Sequence, residues 1–191
     1  MQVYAVLYTG TGRFLLGWKL EKGYFFYNSA THTGSLVPDG QTLNGADNYA
    51  LPGGRREGSE AIRAGAAREF QEETAVGIGG FPAVDHSFGN DFGAGYFKVS
   101  DTQLDTIYSQ IRNVNLVAAA NASLEVEHGQ ITQYSQIHQR YPNSPQDNEL
   151  ETAYVWSAHD QANWNTVLSW QGSNTLGWYY DILIYWRNSV L

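Results

Sequence analysis

Apolar side chains alternate or run in short blocks along the first part of this chain and fall at helical spacing further on. The stretch "VYAVLYTGTGRFLLGWKL" predicts two strands around a turn, with Gly10 and Gly12 supplying permissive backbone angles. An aromatic run from Tyr24 to Tyr27 then gives way to polar residues with Pro38, Asp39-Gly40 and Asn44-Gly45. Such punctuation predicts a long loop or hairpin insertion over about 28–48.

The stretch "PGGRREGSEAIRAGAAREFQEETAV" reads as a loop entering a helix, with Ser59 as N-cap. Ile62, Ala66 and Phe70 recur at i, i+4 and i+8, so they are expected to pack inward. Beyond it, "GIGGFPAVD" predicts a turn region and "GAGYFKVS" a strand. Ser100 and Gln103 form a capping-box pattern ahead of Leu104, Ile107, Tyr108, Ile111 and Val114, which share helical spacing. The polar stretch after Gln130 predicts a short helix ending near Pro142. "ETAYVWSA" alternates like a strand, and "NTLGWYYDILIYWRNS" predicts a packed C-terminal helix. No internal repeat is visible.

Composition narrows the chemistry. At 191 residues the chain fits a single domain over 1–191 and can bury a sizeable core without staples. It contains no cysteine, which excludes thiolate catalysis, disulfides and cysteine-bound zinc. No basic leader followed by an apolar run opens it, and no stretch approaches the ~20 apolar residues of a membrane span. A soluble, cytoplasmic protein without membrane partners is the expectation. The net charge is −8, and the second half of the chain is the more acidic. That argues against general nucleic-acid binding, although bound divalent cations can invert a local field and admit a phosphorylated ligand.

The chemical signal lies in "REFQEE". Glu69, Glu72 and Glu73 project from one helix face, and like charges at such spacings cost about 0.2–0.5 kcal/mol per pair. Arg68, four residues before Glu72, can orient and partly neutralise them. A cation is the obvious means of offsetting the rest, and hard oxygen ligands suit Mg2+ or Mn2+. The five histidines show no metal-ligand spacing, no serine nucleophile motif is present, and the Gly10/Gly12 turn is followed by a strand where a dinucleotide fingerprint needs a helix.

Gly54, Glu60, Arg68, Glu69, Phe70, Glu72, Glu73 and Val76 fit the pattern G-x5-E-x7-R-E-U-x-E-E-x-G-U, where U is bulky and apolar. This resembles the signature of the Nudix hydrolases. By composition, the charged positions and Gly54 would coincide roughly once in ten million starting points. The departure is Ala75, where the family has Gly. We expect the helix to run slightly longer, with Gly77 taking the terminating role.

The resemblance implies an α/β/α sandwich with a mixed sheet, the box helix packed on it, and an extra helical insertion around 101–145. It implies cleavage of a nucleoside diphosphate linked to another moiety X, a small-molecule nucleotide substrate and a Mg2+ (or Mn2+) cofactor. Metal ligation falls on Glu69, Glu72 and Glu73, with the Gly53 carbonyl as a further ligand. Arg68 would orient the carboxylates, and Glu69 or Glu73 would act as the base. Glu149 and Glu151 are distal acidic candidates, with Glu125 and Glu127 as alternatives. Arg55 and Arg56 could meet phosphate, and the rings of Tyr24 to Tyr27 or Tyr49 could stack on a base or be buried. The insertions at 28–48 and 101–145 could shape substrate choice or build a homodimer interface. ADP-ribose-like nucleotide sugars and (d)NTPs both fit as substrates. The rival reading is a Nudix-fold module that binds a nucleotide without cleaving it.

Overall fold

The computed structural model describes residues 1–191. Strands β1 (Gln2–Thr9) and β2 (Arg13–Lys19) form the expected pair about the Gly10–Gly12 turn. The hairpin β3 (Lys22–Asn28) and β4 (Thr33–Thr42) follows, then short strands β5 (Tyr49–Ala50) and β6 (Gly53–Arg55). Next come helix α1 (Ile62–Thr74), strands β7 (Ala83–Phe88) and β8 (Phe92–Val99), and helix α2 (Asp101–Gln110). Helices α3 (Leu116–Glu127) and α4 (Ser135–Arg140), strand β9 (Leu150–Ser157), and helices α5 (Gln161–Leu168) and α6 (Gly177–Tyr185) follow, the last running into a π-helical turn over Trp186–Val190.

The main sheet has seven strands along the path β5-β2-β1-β8-β7, with β6 added on β1 and β9 on β2. Only β1 and β8 run parallel, so the sheet is mixed. Strand β1 is buried from Val3 to Thr9, as a strand covered on both faces must be. Helix α1 lies on one face, brought close by glycines of β8. A Cβ on Gly95 would sit 3.1 Å from the Arg63 Cα, and one on Gly93 would sit 2.9 Å from the Ile62 side chain. Helix α6 and the π-helical turn Trp186–Val190 after it cover the other face through Tyr4–Tyr179 and Tyr8–Trp186 ring contacts and a bond from the Tyr96 hydroxyl to the Ile182 carbonyl. The result is the expected α/β/α sandwich with a mixed sheet and the box helix packed on it, with Ala66 and Phe70 fully buried under α1 and Ile62 packed at the edge. No helix is long and apolar enough to cross a membrane.

The two inserted segments pack on each other. The loop or hairpin expected over 28–48 is a hairpin shifted toward Lys22, with the aromatic run as its first strand. It forms a separate two-stranded sheet, and Phe25 from it enters a small apolar cluster with Ala119, Ala122, Val126, Ile131 and Ile137. Thus a second core joins the hairpin to α3 and α4, beside the main one.

Several local expectations are corrected. Ser59 does not cap α1: it lies in a turn closed by Glu60 N–H to the Glu57 carbonyl, and the helix starts after Ala61 without a side-chain cap. Residues 83–85, read as the end of a turn region over 77–85, instead open β7, which extends the sheet because β8 offers it an edge. The Ser100–Gln103 capping box is present, but a π-helical turn over Ile111–Asn115 follows α2. Its extra residue shifts the helical phase, so Val114 turns outward at 38 % exposure and Asn115 turns inward. Asn115 then donates to the Thr74 carbonyl at 2.8 Å.

Ala75 itself terminates α1, in the left-handed conformation with φ 60° and ψ 19°, and Gly77 has no such role. The helix is not free to lengthen, because its last carbonyls are already taken. The N–H groups of Gln146 and Asp147 bond the Glu72 carbonyl, and Asn115 bonds that of Thr74. A non-glycine residue in this conformation costs about 1–2 kcal/mol. Ala75→Gly is therefore expected to stabilise the fold by about 1 kcal/mol, after allowing for the greater freedom of glycine in the unfolded chain. Urea denaturation at unchanged slope checks this.

Candidate active site

Helix α1 aims its carboxylates at β6, and the polypeptide there is glycine because nothing larger fits. A Cβ on Gly53 would lie 2.3 Å from the Tyr4 ring, and one on Gly54 would lie 2.4 Å from Glu69 Oε2. The Gly53 N–H donates to Glu73 Oε1 at 2.8 Å. Glu69, Glu72 and Glu73 are all buried, at 9 %, 5 % and 2 % exposure. A solvated acidic helix face would not be.

Arg68 gathers this cluster. Its Nη1 donates to Glu69 Oε1 (2.9 Å), Glu72 Oε2 (3.1 Å) and Ser29 Oγ (3.2 Å). Its Nη2 donates to Glu60 Oε1 and to the Arg55 carbonyl, both at 3.0 Å. Glu60 also accepts the Glu57 N–H at 2.7 Å. Burial works against the Glu60 charge, yet the Arg68 and Glu57 bonds prevail and hold its carboxyl below the usual range. Sequence spacing suggested the Arg68–Glu72 contact; the five-way grip is tertiary.

Glu73 receives less. Its Oε2 is buried with no partner. Burial, the neighbouring Glu149 and then Glu69 push its carboxyl well up, against the pull of Lys19 and the Gly53 N–H. Glu69 is raised to about 7, first by burial and then by Glu72 and Glu149, despite Arg68.

Of the distal candidates, only Glu149 joins the site. Lys19 Nζ holds its Oε2 at 2.7 Å and also reaches the Asn44 carbonyl at 3.3 Å. Burial disfavours the Lys19 charge, but Glu149 and Glu73 outweigh it. Glu151 is exposed; Glu125 pairs with Arg140 and Tyr141, and Glu127 bonds the Tyr24 hydroxyl. Sequence reasoning missed Lys19, whose only signal was a lysine closing an otherwise apolar strand. It also missed Asp147, buried and pushed up to about 8 by burial and then by Glu149, Glu72 and Glu69.

Two cavities adjoin at β6. One, of about 450 Å3, is bounded by Tyr4, Lys19, Tyr49, Gly53, Glu149, Trp178 and Tyr179. The other, of about 480 Å3, is bounded by Tyr27, Ser29, Arg55, Arg56, Arg68, Glu69, Glu72 and Asp147. Tyr49 therefore faces a cavity while packing on Trp18, Trp156 and Trp170. Tyr27 lines the second cavity and stacks on Tyr134; Phe25 is wholly buried. Trp178 was not foreseen as a cavity residue. Its indole N–H is buried and makes no hydrogen bond, while burial pushes the neighbouring Tyr179 hydroxyl up.

No three acidic or histidine side chains form a ready-made metal cage. Glu69 and Glu72 are drawn onto Arg68, and Glu73 onto Gly53. The donor set nevertheless fits a hard cation. It is all oxygen, one buried carboxylate oxygen is orphaned, and Mg2+ commonly takes only one or two protein carboxylates.

The motif resembles the Nudix signature, and its helix packs on a mixed sheet in an α/β/α sandwich. No family model matches the chain, and no curated protein matches it. Among solved structures it is similar to a MutT protein from Methanosarcina mazei Go1, with 25% identity, a TM-score of 0.30 and coverage of 52% of this chain. It spans 64% of that protein, less than two thirds of its length. It is also similar to a mutT/nudix family protein from Listeria innocua, with 19% identity, a TM-score of 0.38, and coverage of 56% of this chain and 69% of the other. At such TM-scores neither likeness bears on activity.

The raised carboxyls carry a pH signature. In the metal-free folded chain Glu69 and Asp147 keep protons up to about 7 and about 8, which the unfolded chain releases near 4.5 and 3.8. Their contribution to stability is full at acid pH and is lost as pH rises through the folded values. In EDTA the urea midpoint should therefore fall between about pH 5 and about pH 8.5. Asp147→Asn should flatten that slope.

Proposed function

We propose that this protein is a divalent-metal-dependent pyrophosphohydrolase acting on a nucleoside diphosphate linked to X. The observation that carries the reading is the buried, orphaned Glu73 Oε2 beside Glu69 and Glu149. Leaving a buried polar atom unpaired costs about 1–3 kcal/mol, more when charged, so the arrangement calls for a cation.

Glu69, Glu72 and Glu73, with the Gly53 carbonyl, would hold Mg2+ or Mn2+. Bound there, the metal would neutralise the diphosphate, lower the pKa of a water and stabilise charge developing at phosphorus. The chain's own groups do the rest. Arg68 fixes Glu69 and Glu72 in place through Nη1. Glu69 or Glu73 accepts the proton of the attacking water. Lys19 steadies Glu149, the distal carboxylate, beside them. Arg55 makes no side-chain hydrogen bond or ion pair, and Arg56 touches only Met1 Sδ, so both stay available for phosphate oxygens. The P–O–P bond breaks and two phosphorylated products leave.

The base would enter the aromatic cavity of Tyr4, Tyr49, Trp178 and Tyr179. Ring faces there supply stacking, and the free indole N–H of Trp178 supplies a donor.

A panel of ADP-ribose, NADH, dinucleoside polyphosphates, nucleotide sugars and (d)NTPs with Mg2+ or Mn2+ tests this. Turnover of at least one class is expected, reduced by at least about a thousandfold in Glu73→Gln and Glu72→Gln, since each substitution removes a charged ligand. Nucleotide binding without metal-dependent turnover would favour the binding-module reading instead.

A further inference from the structure

The hairpin insertion builds one feature the box alone does not explain, the cavity of about 480 Å3 beyond Arg55. Its far wall is the tip of the β3–β4 hairpin: Tyr27, Asn28, Ser29 and Ala30. That tip is tied to the box. Ser29 Oγ donates to Glu57 Oε1 at 2.5 Å and accepts from Arg68 Nη1 at 3.2 Å. Asp147, whose own N–H bonds the Glu72 carbonyl of α1, accepts the Tyr27 N–H at 2.5 Å. Behind the tip, the Phe25 cluster braces the hairpin against α3 and α4. The wall is thus preformed and anchored to the helix that bears the carboxylates.

The two cavities divide consecutive residues between them. Gly53 and Gly54 line the aromatic one, and Arg55 to Gly58 line the other. Glu149 lines the first and Asp147 the second. The carboxylate cluster therefore lies at their junction. Each is of a size that holds a small organic group, and their chemistry differs. The first offers rings; the second offers the guanidinium groups of Arg55 and Arg56, neither paired with an acid, and hydroxyl and amide side chains, facing the carboxyls of Glu57, Glu69, Glu72 and Asp147. Arg56 Nε is moreover buried without a partner.

We infer that the insertion-built cavity binds the X end of the substrate. The substrate class is then a two-ended nucleoside diphosphate whose X carries hydroxyls or a further phosphate. A nucleoside triphosphate has one organic end and would leave this wall unused. This rests on the hydrolase reading for the cleavage at the junction, but the pocket itself can be tested without it.

The experiment compares ADP-ribose and diadenosine triphosphate with ATP and dATP, by kcat/KM with Mg2+ and by calorimetric binding in EDTA. Wild type is set against Arg55→Ala, which removes a cation, and Ala30→Trp, which fills the cavity from an exposed position. Thermal melts confirm that both variants fold. Wild type should prefer the two-ended compounds by at least about tenfold, and both variants should lower that ratio by a similar factor. A ratio lost in binding, with no turnover of any compound, keeps the pocket and removes the hydrolase reading. Preference for ATP or dATP, or a ratio that neither variant changes, overturns the inference.

Discussion

The frame of the site depends on one guanidinium group. Arg68 donates to Glu60, Glu69, Glu72, Ser29 and the Arg55 carbonyl, and so joins the box helix, the loop before it and the inserted hairpin. Taking several carboxylates out of water is expensive unless each finds a partner. Arginine suits the task because it cannot be deprotonated and presents a fixed fork of donors. Its reach stops short of Glu73, where Lys19 and Glu149 form the nearest ion pair and one oxygen remains unpaired.

The backbone around that point is equally constrained. Gly53 and Gly54 bring β6 within contact of Tyr4 and Glu69, and Gly93 and Gly95 let α1 settle on β8. The far end of α1 is held by the insertions, through Asn115 and the Gln146–Asp147 backbone. This clamp explains why Ala75 is forced into the left-handed region and Gly77 is not used. Position along the helix, and hence the aim of the carboxylates, is fixed at both ends.

The inserted segments are as much a part of the site as the box. Their own apolar cluster, centred on Phe25, makes the hairpin a rigid wall. The π-helical turn between α2 and α3 turns Asn115 toward α1, a shift that a regular helix through these residues would not have made. Rigid support of this kind is what a constellation needs if its groups are to hold a common geometry.

The sequence by itself determined the box, because its chemistry lies within one helix and helical spacing places Glu69, Glu72 and Arg68 together. It also determined the main strands, the Ser100–Gln103 cap and the C-terminal helix, whose signals are local. Only the tertiary structure decided that Glu149, and not Glu151, Glu125 or Glu127, stands at the cluster. The same holds for Lys19 and Asp147, and for the way α6 and the hairpin wall two different cavities. Those choices rest on contacts between residues far apart in the chain, such as Lys19 with Glu149 and Tyr27 with Asp147. Periodicity shows which face of an element is buried; which distant partner it meets depends on how the sheet and the insertions close around it.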